Sequence, residues 1–338
     1  ASLIYFGKPV SELGLVEALT LAVIPQNPNH RGTPLAQSAA ESDGLSGARW
    51  RLARAYVARH PEARNELSPI LSVRSASNDA RDSSAIGMLR GPRDLPFGAP
   101  HFVDNLLSDV SVPSYAALRT TLDPRLQRLL ERHVQRYVAA SGRRGIHNAA
   151  ALLVDTRDLG VVALVGSADY DDADIMGQVN GTTARRSPGS TLKPFVYALA
   201  MDQGVIHPLS VLKDVPTSFS AYSPENFDGR FAGPLAAKDA LVRSRNVPAL
   251  LLAAKLNGPS LYEFLVRAGV KLPESEAHYG LGLVLGGGEV SMEELVTLYA
   301  ALANRGVLRP LRQLEKEPLA AGVPVLSEEA AFLTLSML

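Results

Sequence analysis

The sequence has no cysteine and no net charge, and each absence narrows the class of protein. Without cysteine there is no disulfide and no thiolate metal site, although oxidising and reducing compartments both remain open. The 34 basic and 34 acidic residues balance, which indicates neither nucleic-acid binding nor a disordered acidic tail. What remains is a globular protein whose 338 residues allow two or three domains.

Long apolar runs are also missing. No segment holds enough consecutive apolar residues to span a membrane. Residues 1–6, Ala-Ser-Leu-Ile-Tyr-Phe, lack the basic start of a signal peptide. We therefore expect these residues to come from the interior of a longer chain.

One candidate for chemistry is the segment Arg185–Phe195, in which Pro188 and Gly189 end a loop and the following residues favour a helix. Ser190 then lies in the first turn, among free backbone N–H groups at the positive end of the helix dipole, which suits a nucleophile. Lys193 lies on the same face and can accept the serine's proton if burial and nearby positive charge lower its pKa. An N-cap serine beside a solvated lysine has the same spacing, so spacing alone leaves both interpretations open.

A second candidate is the pair Ser244 and Asn246 within residues 240–248. The pattern predicts a helix, a loop and a new helix begun by Pro248. A loop between two helices can lean both side chains over a cleft. An ordinary helix-to-helix turn, in which serine and asparagine are common, fits the same residues.

Together these motifs resemble a known family. Arg-Ser-Pro-Gly-Ser-Thr-Leu-Lys-Pro-Phe contains the S-x-x-K signature and resembles the transpeptidase segment of penicillin-binding proteins, particularly the large bifunctional class of 1C-like type. Ser244-x-Asn246, followed by Val-Pro-Ala, matches the second family motif in the right order. The resemblance implies an α+β fold of the penicillin-binding and β-lactamase-like kind, with a helical lobe and an incomplete antiparallel sheet.

The resemblance also predicts three parts. Residues 1–66 resemble the helical C-terminal tail of a lysozyme-like glycosyltransferase domain, with a helix at 11–23, but the catalytic glutamate motifs of that domain are absent and no glycosyl transfer is assigned. Residues 67–117 are predicted to be a linker. Residues 118–338 are predicted to be the transpeptidase domain.

Local signals predict several elements. Asp123 is a good N-cap, and Ser260 and Ser291 open capping boxes. The β-rich runs within 149–166 predict a buried hairpin. Residues 38–46 are small and polar, which favours a loop.

Four other features are interpreted as structural. The aspartates of 169–174 lack the spacing of a calcium loop, and the glycines of 286–288 lack the lysine of a phosphate loop. The carboxylates of 225–228 fit a turn better than a glycosidase pair. His101 has no partner at metal or catalytic spacing.

For chemistry, the resemblance implies that Ser190 attacks the carbonyl of a D-Ala-D-Ala stem peptide and passes the acyl group to an amine of a neighbouring stem. Lys193 is the implied base, Ser244 relays a proton, and Asn246 contacts the lysine and the substrate amide. Stem peptides and β-lactams are the implied ligands, with wall-synthesis proteins as candidate partners and no nucleic acid, metal or organic cofactor. The implied location is the periplasmic face of the bacterial inner membrane, held by an anchor outside these residues.

The third family motif, Lys-Thr-Gly, does not occur in these 338 residues, and 327–338 resembles the helix before its strand. We therefore expect a chain cut at both ends, with an exposed sheet edge and poor stability. A carboxypeptidase or β-lactamase, which transfers the acyl group to water, is disfavoured by the glycosyltransferase-like start. A truncated non-catalytic remnant, or a binding module of a wall-synthesis complex, is favoured by the missing motif. Whether the chain is active stays open.

Overall fold

A computed structural model describes residues 2–6, 8–24, 39–72, 98–109, 118–218 and 223–338. The chain divides into two compact units, residues 1–97 and 98–338. The boundary falls inside the predicted linker, so the part of that linker after residue 97 belongs to the larger unit. Within the predicted linker, residues 73–97 and 110–117 lie outside the described residues.

The smaller unit is helical in its described parts. Its α-helices are α1 (Ser2–Phe6), α2 (Leu15–Val23), α3 (Ala39–Arg59) and α4 (Ser68–Leu71), with 3-10 turns at Val10–Glu12 and Pro61–Arg64. Apolar side chains from α2, α3 and α4 form one small core. Its buried members are Leu19, Ala53, Leu67 and Ile70.

Two sequence predictions in this unit need correction. The helix predicted at 11–23 is divided, because Gly14 is the N-cap of α2 and its N–H donates to Glu17 Oε2 at 2.9 Å. The loop predicted at 38–46 is wrong from the start of α3 onward. Alanine and glutamate at its beginning favour a helix, and lengthening a helix that is already packed costs little.

In its described residues the larger unit combines helices with three short antiparallel strand pairs, which confirms the predicted α+β class. The pairs are β1 (Ala151–Val154) with β2 (Val161–Val165), β3 (Val211–Asp214) with β4 (Gly233–Ala236), and β5 (Val307–Leu308) with β6 (Val323–Pro324). The α-helices are α5 (Pro100–Asp109), α6 (Pro124–Ser141), α7 (Lys193–Asp202), α8 (Ala237–Val242), α9 (Asn246–Ala253), α10 (Leu261–Arg267), α11 (Glu276–Tyr279), α12 (Met292–Ala303) and α13 (Glu328–Met337). Turns of 3-10 helix lie at Gly142–Arg144, Gly189–Leu192 and Gly280–Leu285. Within the described ranges no helix is long and apolar enough to cross a bilayer.

The predicted hairpin is present as β1 and β2. Its burial is uneven, because β2 is almost wholly buried whereas Leu153 on β1 is 41% exposed. Isolated bridges join Thr120 to Leu314 and Gly160 to Arg312, so two further segments lie beside the pair. The prediction of a hairpin is therefore confirmed, and its burial is confined mainly to one strand.

The side-chain amide of Gln127 connects helix α6 to strand β2 by hydrogen bonds. As predicted, Asp123 caps the helix, with Oδ1 accepting from the N–H groups of Arg125 and Leu126 at 2.7 and 3.1 Å. Buried Gln127 donates to Leu164 O at 2.9 Å and accepts from Leu164 N at 2.8 Å. The amide thus satisfies the backbone of β2 as a neighbouring strand would.

His101 is structural, as the sequence suggested. The ring is buried, its Nδ1 accepts from Gly166 N at 3.3 Å, and its Nε2 then donates to Gly177 O at 2.8 Å. Both ring nitrogens are therefore occupied in joining α5 to the segment after β2.

At the centre of the larger unit lies α7, in which nine residues from Lys193 to Met201 are buried. Helices α8, α9 and α13 surround it. A helix that is apolar on nearly all sides must be enclosed, and this one is. Two polar groups on it, Lys193 and Tyr197, are consequently buried as well.

We expect Tyr197→Phe to leave the free energy of unfolding unchanged or to raise it by about 1 kcal/mol. The Tyr197 hydroxyl is buried and has no hydrogen-bond partner among the described residues, and burial raises its pKa. Removing it therefore removes an unsatisfied polar group and no hydrogen bond. Urea unfolding would measure the difference, and a clear loss of stability would mean that the hydroxyl is hydrogen-bonded in the folded protein.

Candidate active site

Ser190 lies in a 3-10 turn, Gly189–Leu192, that leads directly into α7. The sequence predicted an α-helix from Ser190 to about residue 203, whereas the α-helix itself spans Lys193–Asp202. Pro194 explains the difference. It has no N–H for the Ser190 carbonyl, which instead accepts from Lys193 N and so tightens the turn. The Ser190 side chain is exposed.

The segment before Ser190 packs closely on the glycine turn 286–288. Gly286 has φ +93°, and a Cβ there would lie 2.5 Å from Gly189 N. Ser187 Oγ donates to the Gly286 carbonyl at 2.7 Å. The glycines, which the sequence indicated to be structural, thus form a turn whose lack of side chains allows the close contact.

Lys193 is 1% exposed and lies between the two residues of the second motif. Its Nζ is 2.6 Å from Ser244 O, 3.1 Å from Ser244 Oγ and 2.6 Å from Asn246 Oδ1. Among the described residues no carboxylate lies within 4.0 Å of this ammonium. Burial, and to a smaller extent the charge of Arg245, lower the pKa of Lys193 to about 8.

Ser244 and Asn246 lie at the turn between α8 and α9, as the sequence predicted. Helix α9 begins at Asn246 rather than at Pro248, because Arg245 has the extended backbone of an N-cap. Pro248 then falls within the first turn, where no intrahelical N–H is needed. Asn246 Nδ2 donates to Glu225 O at 2.7 Å, which turns Oδ1 towards the lysine.

A cleft of about 410 Å³ opens in front of these groups. Ser190, Ser244 and Asn246 line it together, and Lys193 lies behind the latter two. No hydrogen bond joins the Ser190 hydroxyl to Lys193 in the described part of the chain, and catalytic contacts are often longer before a ligand is bound. The remaining lining residues are Gly189, Asn226, Phe227, Asp228, Arg243, Arg245 and Leu285.

Behind the cleft lies a buried polar network that the sequence did not reveal. Arg245 Nε donates to Asp214 Oδ2 at 2.7 Å, and Asn226 Nδ2 donates to Asp214 Oδ1 at 2.7 Å. The three residues are 12 to 31 positions apart, so no spacing pattern could have joined them.

The clusters interpreted as structural lie in turns. In 169–174, Asp169 accepts from the N–H of Asp171, and Asp172 from that of Asp174. In 225–228, Asp228 pairs with Arg245 at 3.0 Å. The described residues contain no group of three His, Asp or Glu side chains placed to hold a metal ion.

Comparison with known proteins identifies the class of protein to which this chain belongs. The family described as the penicillin binding protein transpeptidase domain matches residues 149–338. The chain belongs to this family, which is a family of acyl-transferases.

Particular relatives then narrow the resemblance. Penicillin-binding protein 1C of Escherichia coli (strain K12) is 35% identical over 98% of this chain and 40% of its own length. Penicillin-binding protein 2D of Bacillus subtilis (strain 168) is 27% identical over the whole chain and 49% of its own length. The chain thus spans less than half the length of these two relatives.

Solved structures support the fold. The penicillin-binding protein PonA1 from Mycobacterium tuberculosis superimposes with a TM-score of 0.57 at 20% identity, over 71% of this chain and 70% of PonA1. The same protein in complex with penicillin V matches equally well. At this identity the likeness is one of fold alone.

Proposed function

We propose that this chain carries the acyl-transfer site of a peptidoglycan D,D-transpeptidase. The observation that carries the proposal is Lys193, which is buried between Ser244 and Asn246, one turn after Ser190, with no carboxylate partner among the described residues. A buried lysine whose pKa is lowered to about 8 is about one-tenth neutral at pH 7, which is enough for a general base.

In the proposed acylation, neutral Lys193 takes the proton of Ser190 Oγ as the oxygen bonds to the carbonyl carbon of the penultimate D-Ala. The peptide C–N bond breaks, and the proton passes through the Ser244 hydroxyl to the departing amine of the terminal D-Ala. An amine of a second stem then attacks the ester, and Ser190 recovers its proton. Ser244 Oγ lies 3.1 Å from Lys193 Nζ, within range for that transfer.

Asn246 would contact both Lys193 and the bound peptide. Its Oδ1 faces Lys193 and one of its two Nδ2 hydrogens is bonded to Glu225 O. The second Nδ2 hydrogen is left to donate to a carbonyl of the bound peptide. This division of roles supports the contact with the substrate amide that the resemblance implies.

The proposed ligands are stem peptides ending in D-Ala-D-Ala, and β-lactams, which would acylate Ser190 and remain there. PonA1, which shares the fold, has a known structure in complex with penicillin V. We further propose that the protein works at the periplasmic face of the inner membrane and that other wall-synthesis proteins are its partners.

The experiment is to treat the protein with a fluorescent penicillin and to map the labelled peptide by mass spectrometry. We expect one covalent adduct on Ser190, because this hydroxyl is exposed in the cleft beside the buried base. The ring-opened penicilloic acid, which cannot acylate, is the control and should give no adduct. Labelling elsewhere, or none at all, would refute the proposal.

Transpeptidation can be separated from hydrolysis with a synthetic stem peptide. In the presence of an acceptor amine, D-Ala release should be accompanied by the cross-linked product. D-Ala release that yields only the shortened acid would indicate a carboxypeptidase instead.

A further inference from the structure

The residues behind the second motif form a unit that we name the Asp214 clamp, composed of Asp214, Asn226 and Arg245. Asp214 is fully buried and accepts from both other members at 2.7 Å. It also accepts from Ala232 N at 2.9 Å, so both carboxylate oxygens are hydrogen-bonded, Oδ2 twice and Oδ1 once. Asn226 is 4% exposed and Arg245 9% exposed. Buried charges persist only when paired and hydrogen-bonded in this way.

The clamp reaches the candidate active site through Asn226. Asn226 Oδ1 accepts from Asn246 N at 2.8 Å, which satisfies a free N–H at the start of α9. Asn246 Oδ1 in turn is 2.6 Å from Lys193 Nζ. A continuous series of hydrogen bonds therefore runs from the buried Asp214 to the lysine.

The turn that the clamp holds has an unfavourable backbone. Ser244 has φ +53°, the left-handed region, which is unfavourable for a residue with a Cβ. Such a conformation persists when the surroundings fix it on both sides. Arg245, the next residue, is anchored through its side chain to Asp214, to Asp228 and to the carbonyl of Arg230.

We infer that Asn226 is a positioning residue for acyl transfer, since it connects the buried Asp214–Arg245 pair to Asn246 and so holds the Ser244–Asn246 turn against Lys193. This inference rests on the function proposed above. Asn226 touches neither the lysine nor the serine by hydrogen bond. Its effect is exerted through Asn246, in the way that outer residues orient the groups that react.

The test compares Asn226→Leu with Gln127→Leu. Both wild-type residues are amides less than 5% exposed, both bridge polar groups of the larger unit, and Gln127 lies away from the cleft. Acylation by a fluorescent penicillin is followed over a range of concentrations. The folded fraction of each variant is measured by circular dichroism and used to correct the rates.

We expect Asn226→Leu to lower the acylation rate constant at saturation by about 10- to 100-fold, with little change in the half-saturating concentration. Gln127→Leu should lose stability but keep the wild-type rate constant per folded molecule. If Asn226→Leu does not fold, Asn226→Ala, which removes the same hydrogen bonds with less bulk, is compared with Gln127→Ala.

The outcomes distinguish a failure of the inference about Asn226 from a failure of the proposed function. A wild-type rate in the folded Asn226 variant, or an equal fall in both variants, overturns the inference and leaves the proposed function intact. Absence of any adduct on wild-type Ser190 overturns the proposed function, and the inference with it. A selective fall in the Asn226 variant supports both.

Discussion

Replacing Lys193 by methionine is expected to slow the acylation of Ser190 by about 10²–10⁴-fold, the range typical of general-base catalysis. Methionine has similar length and can occupy the buried site, but it accepts no proton. The change also removes the donors that hold Ser244 O, Ser244 Oγ and Asn246 Oδ1. Stopped-flow or gel measurement with a fluorescent penicillin gives the rate constant.

The pH dependence of the wild-type acylation rate tests the role of Lys193 as a base, and the direction of that dependence follows from its lowered pKa. The base is the neutral amine, whose fraction increases as pH rises through the lowered pKa of about 8. Below pH 7 the acylation rate constant should therefore increase about tenfold for each unit by which the pH rises. It should level off above about pH 9. In the methionine variant this dependence should disappear.

Two variants serve as controls for the Lys193 prediction. Lys193→Arg keeps a positive charge that cannot be lost at these pH values, so it should be as slow as Lys193→Met. Lys213→Met removes an exposed lysine of β3 and should leave the rate unchanged. A wild-type rate or pH profile in Lys193→Arg would show that the lysine acts as a fixed charge and not as a base.

Asp214→Ala is expected to destabilise the larger unit by about 3–5 kcal/mol, the usual cost of removing one partner of a buried ion pair. The substitution leaves buried Arg245 with half-exposed Asp228 as its remaining counter-charge among the described residues. It also removes the acceptor for Asn226 Nδ2 and for Ala232 N. Urea unfolding followed by circular dichroism measures the change.

The matched control for Asp214 is Asp228→Ala. Asp228 contacts the same arginine at 3.0 Å, but its carboxylate is 51% exposed, and exposed ion pairs contribute little to stability. We expect the two variants to differ clearly in their unfolding midpoints. Equal midpoints would contradict the view that the buried carboxylate holds this part of the fold.

Short-range signals in the sequence predicted the local structure well. Asp123 caps α6, and the capping boxes at Ser260 and Ser291 open α10 and α12, because each depends only on residues two or three positions away. Errors arose where a neighbour in the chain altered the hydrogen bonding. Pro194 delayed the start of α7, and an extended N-cap at Arg245 advanced the start of α9.

In the candidate active site, too, local spacing predicted some features and missed others. The spacing of Ser190 and Lys193 follows from one turn of helix, and the turn with Ser244 and Asn246 follows from the boundary between two helices. What spacing could not give is the contact between the two motifs, since Lys193 and Ser244 are 51 residues apart. Only the resemblance to a family anticipated that they would meet.

The sequence by itself determined the two motifs, because these depend on residue types and on intervals within single elements. Its resemblance to a family, carried by those motifs, implied the α+β class. The tertiary structure alone decided that Lys193 is buried, with no carboxylate beside it in the part of the chain that the structure describes, and that Asp214, Asn226 and Arg245 join behind it. The physical reason is that burial and pKa depend on groups brought together by packing from distant parts of the chain, which no local interval encodes.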